Sequence, residues 1–215
     1  MRRTIKLFLL ALLAASATLG NTATAQQNDA FALFEQFLTQ PVATLAFEQQ
    51  AFNSKDALLY QTTGVLSYQR PNLFRLQYAS PEQPLIVADG EIVWIYEAEI
   101  EQATAQPFAS AEKNGLIETL TSGSSDALKK DYVLSAGIDD TLRWINANAL
   151  DQNSPLKRIS LAFATADGTL QKVLLVDHFG GKIIMHINDI QYNIHDAEDV
   201  FSFTPPLGSE VIDIQ

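Results

Sequence analysis

Between Arg70 and Tyr96 the chain reads R-P-N-L-F-R-L-Q-Y-A-S-P-E-Q-P-L-I-V-A-D-G-E-I-V-W-I-Y, and three short strands fit into that stretch. Pro71 fixes φ and removes a backbone donor, which suits the start of a strand. Phe74, Leu76 and Tyr78 then alternate with Arg75 and Gln77, the period-two signature of a strand with one apolar face. Ser80 to Pro84 carries two prolines and reads as a turn. Leu85 to Val87 is a second strand, and Asp89-Gly90 closes a tight hairpin into the β-branched and aromatic run Ile92 to Tyr96.

The same rhythm extends both ways. Asp29 to Thr39 is expected to be a helix, capped by Asn28 or Asp29, with Phe31, Phe34, Phe37 and Leu38 at spacings of three and four, and stopped by Pro41. From Val42 the period becomes two: Leu45, Phe47 and Gln49 alternate with Ala46 and Glu48. Ala57 to Gln69 is one long strand, and Gly64 inside it suggests a bulge or bend. Ile100 to Gln106 is expected to be a further strand. Phe108 to Lys130 breaks the pattern, with a short helix at Leu116, Ile117 and Leu120 and one more helical turn at 126–130. Strands resume over 131–136, 141–149, 156–164, 170–177 and 183–194, separated by turn signals such as Asp167-Gly168 and Gly180-Gly181.

Regular strands joined by tight turns predict one antiparallel sheet of about ten or eleven strands in up-and-down order, a mainly β (α+β) fold. Sheets of that size curl or close. Full closure leaves no room for two helical segments, whereas an open, strongly curved half-barrel with helices over an apolar concave face accommodates both. A membrane barrel fits poorly: two helical segments interrupt the strands, and Arg75, Gln77, Lys157 and Lys172 fall on faces that lipid would need apolar.

Residues 1–25 read as a cleaved signal peptide. Arg2, Arg3 and Lys6 precede the apolar run Leu7 to Ala15, and Ala23-Thr24-Ala25 is a small-x-small site before Gln26. The run is shorter than the ~20 residues a membrane span needs. Residues 26–215 are then expected to be a single domain, large enough to rest on its own core. With no cysteine there is no lipid attachment thiol, no disulfide and no thiolate metal site. The formal charge is −11, and loss of the three N-terminal cations leaves −14. Such a chain is not drawn to nucleic acid or to anionic headgroups.

Catalytic constellations are missing from the sequence. It holds no G-x-S-x-G elbow, phosphate-cradling loop or H-E-x-x-H pair. Glu97, Glu99 and Glu101 read as a solvated strand face. His178 and His186 flank one hairpin and can approach each other, but with His195 they fall short of the convergent ligand set a metal needs. No enzyme activity, metal or cofactor is expected.

The ordered set R-P-x-x-F (Arg70, Pro71, Phe74), Pro81, D-G-x-x-x-W-x-Y (Asp89, Gly90, Trp94, Tyr96), E-Q-A-T around Gln102, and F-x-F-T-P-P (Phe201 to Pro206) before Gly208, Val211 and Asp213 resembles the periplasmic outer-membrane lipoprotein carriers, the LolA family. The resemblance implies a periplasmic chaperone, monomeric and without cofactor. Such a carrier takes acylated lipoproteins from the lipoprotein-releasing ABC transporter of the inner membrane to an outer-membrane receptor. It also implies that Arg70 holds the lid helices shut. A rim salt bridge is the plainer role for the same residue. The family places a proline before the lid leucines, where this chain has Asn114-Gly115.

A sixteen-carbon acyl chain carries roughly 12 kcal/mol of transfer free energy at about 0.8 per CH₂, so a carrier must enclose it. Leu45, Phe47, Phe74, Leu76 and Tyr78 are the expected cleft lining, faced by Leu116, Ile117 and Leu120 from the lid. Each of these would serve equally in an ordinary core; the resemblance matches Phe74 to an exposed aromatic next to the transporter contact, and burial fits it equally. A free-lipid (phospholipid or glycolipid) binding protein and an envelope sensor domain of the same fold are the alternative readings.

Overall fold

The computed structural model describes residues 29–79, 84–111, 123–139, 141–193 and 200–214. Residues 29–38 form the first helix, α1. Strands β1 (Val42–Phe52), β2 (Leu58–Gln69), β3 (Leu73–Tyr78), β4 (Leu85–Asp89), β5 (Ile92–Glu97) and β6 (Gln102–Pro107) follow. Among the described residues the single-turn helices α2 (Phe108–Ala111) and α3 (Ser125–Leu128) precede β7 (Tyr132–Ile138), β8 (Leu142–Ala149), β9 (Arg158–Ala164), β10 (Leu170–Val176) and β11 (Lys182–Tyr192). The last strand is β12 (Glu210–Asp213).

All twelve strands lie in one open sheet, ordered β12-β6-β5-β4-β3-β2-β1-β11-β10-β9-β8-β7. Two points correct the sequence expectation. The strands do not run up and down in chain order. They form two meanders, β1–β6 and β7–β11, joined by the pairing of β1 with β11, whose partners Leu45 and Ile190 are far apart in sequence. Turn signals mark neighbours in sequence and carry no information about such a distant pair. The twelfth strand, β12, was not expected. It pairs in parallel with β6, Val211 opposite Ala103, and is too short to register as a period-two run.

Smaller boundaries also shift. β5 ends at Glu97 and residues 98–101 form the turn into β6, so Glu99 and Glu101 lie in the turn rather than on a strand face. β9 begins at Arg158, leaving Lys157 before it. At the β4–β5 hairpin the Asp89 Oδ1 accepts from the backbone N–H groups of Glu91 and Ile92 at 3.0 and 2.8 Å, and Gly90 takes φ +98, which a side chain would disfavour.

The register aligns the apolar positions of successive strands into rows on one face, called the inner face below. One row runs Ala43, Tyr68, Phe74, Ala88, Val93 across β1 to β5. Another runs Met185, Val173, Leu161, Ile145, Ala136 across β11 to β7. These residues belong to one continuous apolar cluster, with Ala136 at its margin.

Helix α1 packs on this face. Phe34, Phe37 and Leu38 are buried, and the Phe37 ring meets Tyr68 at 6.4 Å and Phe163 at 6.0 Å. Burial of each such side chain contributes about 1.5–3 kcal/mol, which holds the helix to the sheet. The β9–β10 turn closes against the helix as well. A Cβ on Gly168, whose φ is +73, would lie 2.6 Å from Leu33 Cδ2.

The opposite, outer face is polar along its centre, with Glu48, Gln50, Gln61, Thr63 and Lys172. Over β3–β6 the segment 200–206 lies against it. Arg75 Nη1 donates to the Val200 carbonyl at 3.4 Å, and Phe203 packs on Trp94 and Tyr96 with ring centroids 5.7 and 5.6 Å apart. Val87, Ala103 and Ala105 of this face are buried. The F-x-F-T-P-P and W-x-Y motifs thus meet in a second, smaller core. Phe203→Ala is expected to destabilise the fold by about 2 kcal/mol, less than the 3–5 typical of a fully buried Phe because Phe203 is half-buried. Urea unfolding measures the loss, and the fluorescence of Trp94 should shift to the red. An unshifted spectrum at unchanged stability would contradict the packing.

Candidate functional site

The strand residues expected to line a cleft do share the inner face. Leu45 stands opposite Leu66, which stands opposite Leu76. Phe47 and Tyr78 flank Gly64 from either side and meet edge to face, ring centroids 5.7 Å apart at 88°. Leu45, Phe47, Phe74 and Leu76 are buried and Tyr78 is half-buried. Phe74 is 3% exposed in the row of Tyr68. Leu116, Ile117 and Leu120 lie outside the described residues.

Gly64 has a different role from the one its position suggested. The β1–β2 ladder is unbroken there; its irregularity falls at Ala51/Phe52. A Cβ on Gly64 would sit 2.5 Å from Phe47 Cζ and 2.7 Å from the carbonyl oxygen of Gln77. The missing side chain is what lets the Phe47 ring lie flat across β2.

Arg70 follows β2 and joins the sheet to α1. Its N–H bonds the Pro41 carbonyl at 2.8 Å. Its Nη1 donates to the carbonyls of Gln40 and, at 3.4 Å, Phe37, at the C-terminal end of the helix. Carbonyls at a helix C-terminus attract a cation, and that of Phe37 also accepts the Gln40 N–H at 3.2 Å. The guanidinium also stacks on two rings, its carbon 4.3 Å from the Tyr68 centroid and 5.2 Å from that of Phe37. Nε and Nη2 are buried and, among the described residues, have no hydrogen-bond partner, nor does the Tyr68 hydroxyl beside them. Among the described residues no carboxylate pairs with the guanidinium.

The segment after α2 reaches the same place. The hydroxyl of Ser125 donates to Glu35 of α1, and Gly123 lies beside Arg70 and Leu38. Leu128 is fully buried in the inner-face cluster. β6 lies next to one edge of the sheet and β7 at the other. Arg70 thus stands where α1, the sheet and this segment meet.

One feature of the inner face escaped the sequence. Gln49 is 3% exposed among apolar neighbours. Its Oε1 accepts from the Tyr78 hydroxyl at 3.2 Å, and its Nε2 donates to the Tyr60 oxygen at 3.3 Å. Period two placed Gln49 on the Leu45 and Phe47 face, but neither tyrosine is within reach along the chain, so no local signal gave the partners.

Burial first, and the neighbouring Tyr60 second, push the Tyr78 hydroxyl up to about 12, with the Gln49 bond opposing. Tyr192 is likewise raised to about 12, by burial first and then by Tyr68, against the opposing charge of Arg70. Unfolded tyrosines titrate near 10. Between pH 10 and about 12 the unfolded chain has released protons that the folded chain keeps, so stability should fall across that interval and be unaffected by these groups below it. Urea midpoints measured from pH 9 to 12 check this. The slope should lessen in Tyr192→Phe, and an unchanged slope would contradict it.

Among the described residues no group of three His, Asp or Glu side chains converges. His178 sits in the β10–β11 turn, while His186 lies in mid-strand opposite Glu48 and Lys172, roughly 13 Å along β11 from that turn. The two do not meet. A recess of about 60 Å³ between α1 and the β9–β10 turn, lined by Phe37, Gln40, Gly168 and Tyr192 among others, is far too small for an acyl chain. No helix of the described residues is long and apolar enough to cross a membrane.

The comparisons agree with this geometry. The sequence model of the family described as "Outer membrane lipoprotein carrier protein LolA" matches residues 41–204. The outer-membrane lipoprotein carrier protein of Methylibium petroleiphilum is 32% identical over 168 residues, covering 78% of this chain and 80% of that one. That of Nitrosospira multiformis is 28% identical over 166 residues, covering 77% and 79%. Among solved structures, an uncharacterised conserved protein of Thermus thermophilus superposes with a TM-score of 0.55 at 10% identity, covering 87% of this chain and 98% of that one, a likeness of fold. The fold is one open, mainly β sheet with an apolar face on which a helix packs. The chain belongs to the LolA family of outer membrane lipoprotein carriers.

Proposed function

We propose that the protein is a periplasmic carrier that shields the acyl chains of lipoproteins on their way to the outer membrane. Residues 1–25 direct export and are removed, and residues 26–215 act as one soluble domain. The sheet serves as an open half-barrel, its inner face as the acyl-binding surface, and α1 with the segment around α3 as a lid. The cargo is handed on from the inner-membrane releasing transporter and passed to an outer-membrane receptor. No step requires hydrolysis by the carrier itself.

The observation that carries this reading is the continuous apolar inner face, in a chain of this family, partly occupied by helix α1. A permanent core would leave the face closed to cargo. A face covered by a helix that Arg70 ties at its C-terminal end can be uncovered. Among the described residues Nε and Nη2 have no hydrogen-bond partner, which subtracts from what the two carbonyl bonds contribute. Adding the mature protein to spheroplasts tests the reading. Lipoproteins should appear in the supernatant in soluble one-to-one complexes with it. Lipoproteins that stay in the membrane at every concentration would contradict it.

A further inference from the structure

Among the described residues, four polar side chains other than tyrosine are buried: Gln49, Ser67, Ser125 and Ser160. Ser67 and Ser160 point to the outer face and Ser125 belongs to α3, so Gln49 is the one set into the inner face. It sits six positions along β1 from Ala43, the residue in the Tyr68 row against which α1 packs, hence ~20 Å from the Arg70 end. Phe47 and Leu45 lie between.

The hydrogen bonds around Gln49 have a fixed direction. An amide oxygen accepts only, so Tyr78 must donate to Oε1. An amide nitrogen donates only, so the Tyr60 oxygen must accept from Nε2. The reverse orientation of the amide would leave the proton of the more buried Tyr78 unmatched. The chain therefore runs Tyr78 to Gln49 to Tyr60, and it ends on a Tyr60 O–H that has no acceptor among the described residues. Tyr60 is 38% exposed, at the rim where the inner face opens beside the β1–β2 turn. Each bond polarises the next, so this last proton is a stronger donor than that of an isolated tyrosine.

An acyl chain laid on the inner face brings one polar group with it, the carbonyl of its ester or amide linkage. That carbonyl leaves water as the chain is bound and needs a donor. We propose that the Tyr60 hydroxyl, set by Gln49 and Tyr78, is the site that receives the acyl-linkage carbonyl of the cargo. The inference rests on the lipid-carrying reading above and adds to it a polar anchor that distinguishes acyl from alkyl chains.

The test compares two probes of equal chain length, the hexadecanoyl ester of glycerol and the corresponding hexadecyl ether, which lacks the carbonyl. Dissociation constants are measured by calorimetry on the wild-type protein and on Tyr60→Phe, which keeps the ring. The wild type should prefer the ester by roughly threefold to tenfold, the range one hydrogen bond supplies. Tyr60→Phe should bind both probes equally, with its affinity for the ether unchanged. An equal preference in the two proteins, no preference in the wild type, or a matching loss for both probes in the variant would overturn the inference while leaving the lipid-binding reading intact. Failure of both probes to bind the wild type would overturn the two together.

Discussion

Arg70→Leu is expected to leave lipoprotein loading in place and to slow hand-over to the receptor by about tenfold or more. The guanidinium makes two charge-assisted bonds to the carbonyls of Phe37 and Gln40 and stacks on Phe37 and Tyr68. Hydrogen bonds to a charged group contribute about 1.5–3 kcal/mol, and about 1.4 kcal/mol is a factor of ten in an equilibrium. Leucine keeps some of the apolar contact with the rings and loses every donor. The arrangement with α1 against the sheet then loses its main polar tie, and the equilibrium moves toward the open, loaded state. Cargo enters but is no longer expelled by closure. Lysine should not restore function, because one ammonium cannot both stack flat between two rings and hold two carbonyls in its plane. The check is transfer of a preloaded lipoprotein to receptor-bearing outer membrane. Wild-type transfer by Arg70→Leu would remove the lid role from this residue.

Gly64→Val should have the larger effect on the fold itself. Its Cβ would meet the Gln77 carbonyl oxygen at 2.7 Å, which is backbone and cannot turn aside, and the Phe47 ring at 2.5 Å. Either β3 separates from β2 or Phe47 leaves the inner face. Displacing a buried Phe forfeits about 3–5 kcal/mol, a large part of the 5–15 that holds a typical domain. The variant should unfold at a much lower urea concentration or fail to accumulate. Gly64→Val together with Phe47→Ala should recover part of the loss, because one of the two clashes is gone. Normal stability in the single variant would mean that the close approach of Phe47 to β2 does not exist in solution.

These two sites also mark how far the sequence could be read. The face of β1 was legible because burial on one side of a sheet imposes period two, and Leu45, Phe47 and Gln49 follow it. The helix was legible because Phe34, Phe37 and Leu38 must share a side to be buried. The wall of Leu45, Phe47, Leu76 and Tyr78 follows from those patterns once strands pair in sequence order. What lay beyond reach depends on distant partners. The β1–β11 pairing, the parallel return of β12, and the packing of Phe203 on Trp94 join residues that share no local pattern. Gly64 was misread for the same reason. A glycine in a strand signals either a bulge or a close approach, and the ring that decides between them comes from another strand. Arg70 was singled out through the family resemblance. Its acceptors, the carbonyls of Phe37 and Gln40, are backbone atoms and leave no trace in side-chain identity.

Everything above turns on whether the inner face carries acyl chains belonging to lipoproteins. Native mass spectrometry of the protein taken from the periplasm, with the bound species identified after release, tests it most directly. The expected result is intact lipoproteins or their lipid-modified N-terminal peptides, enriched in Arg70→Leu because that variant loads without unloading. Free phospholipid or glycolipid as the sole cargo of both proteins would contradict it and assign the inner face to free lipids instead.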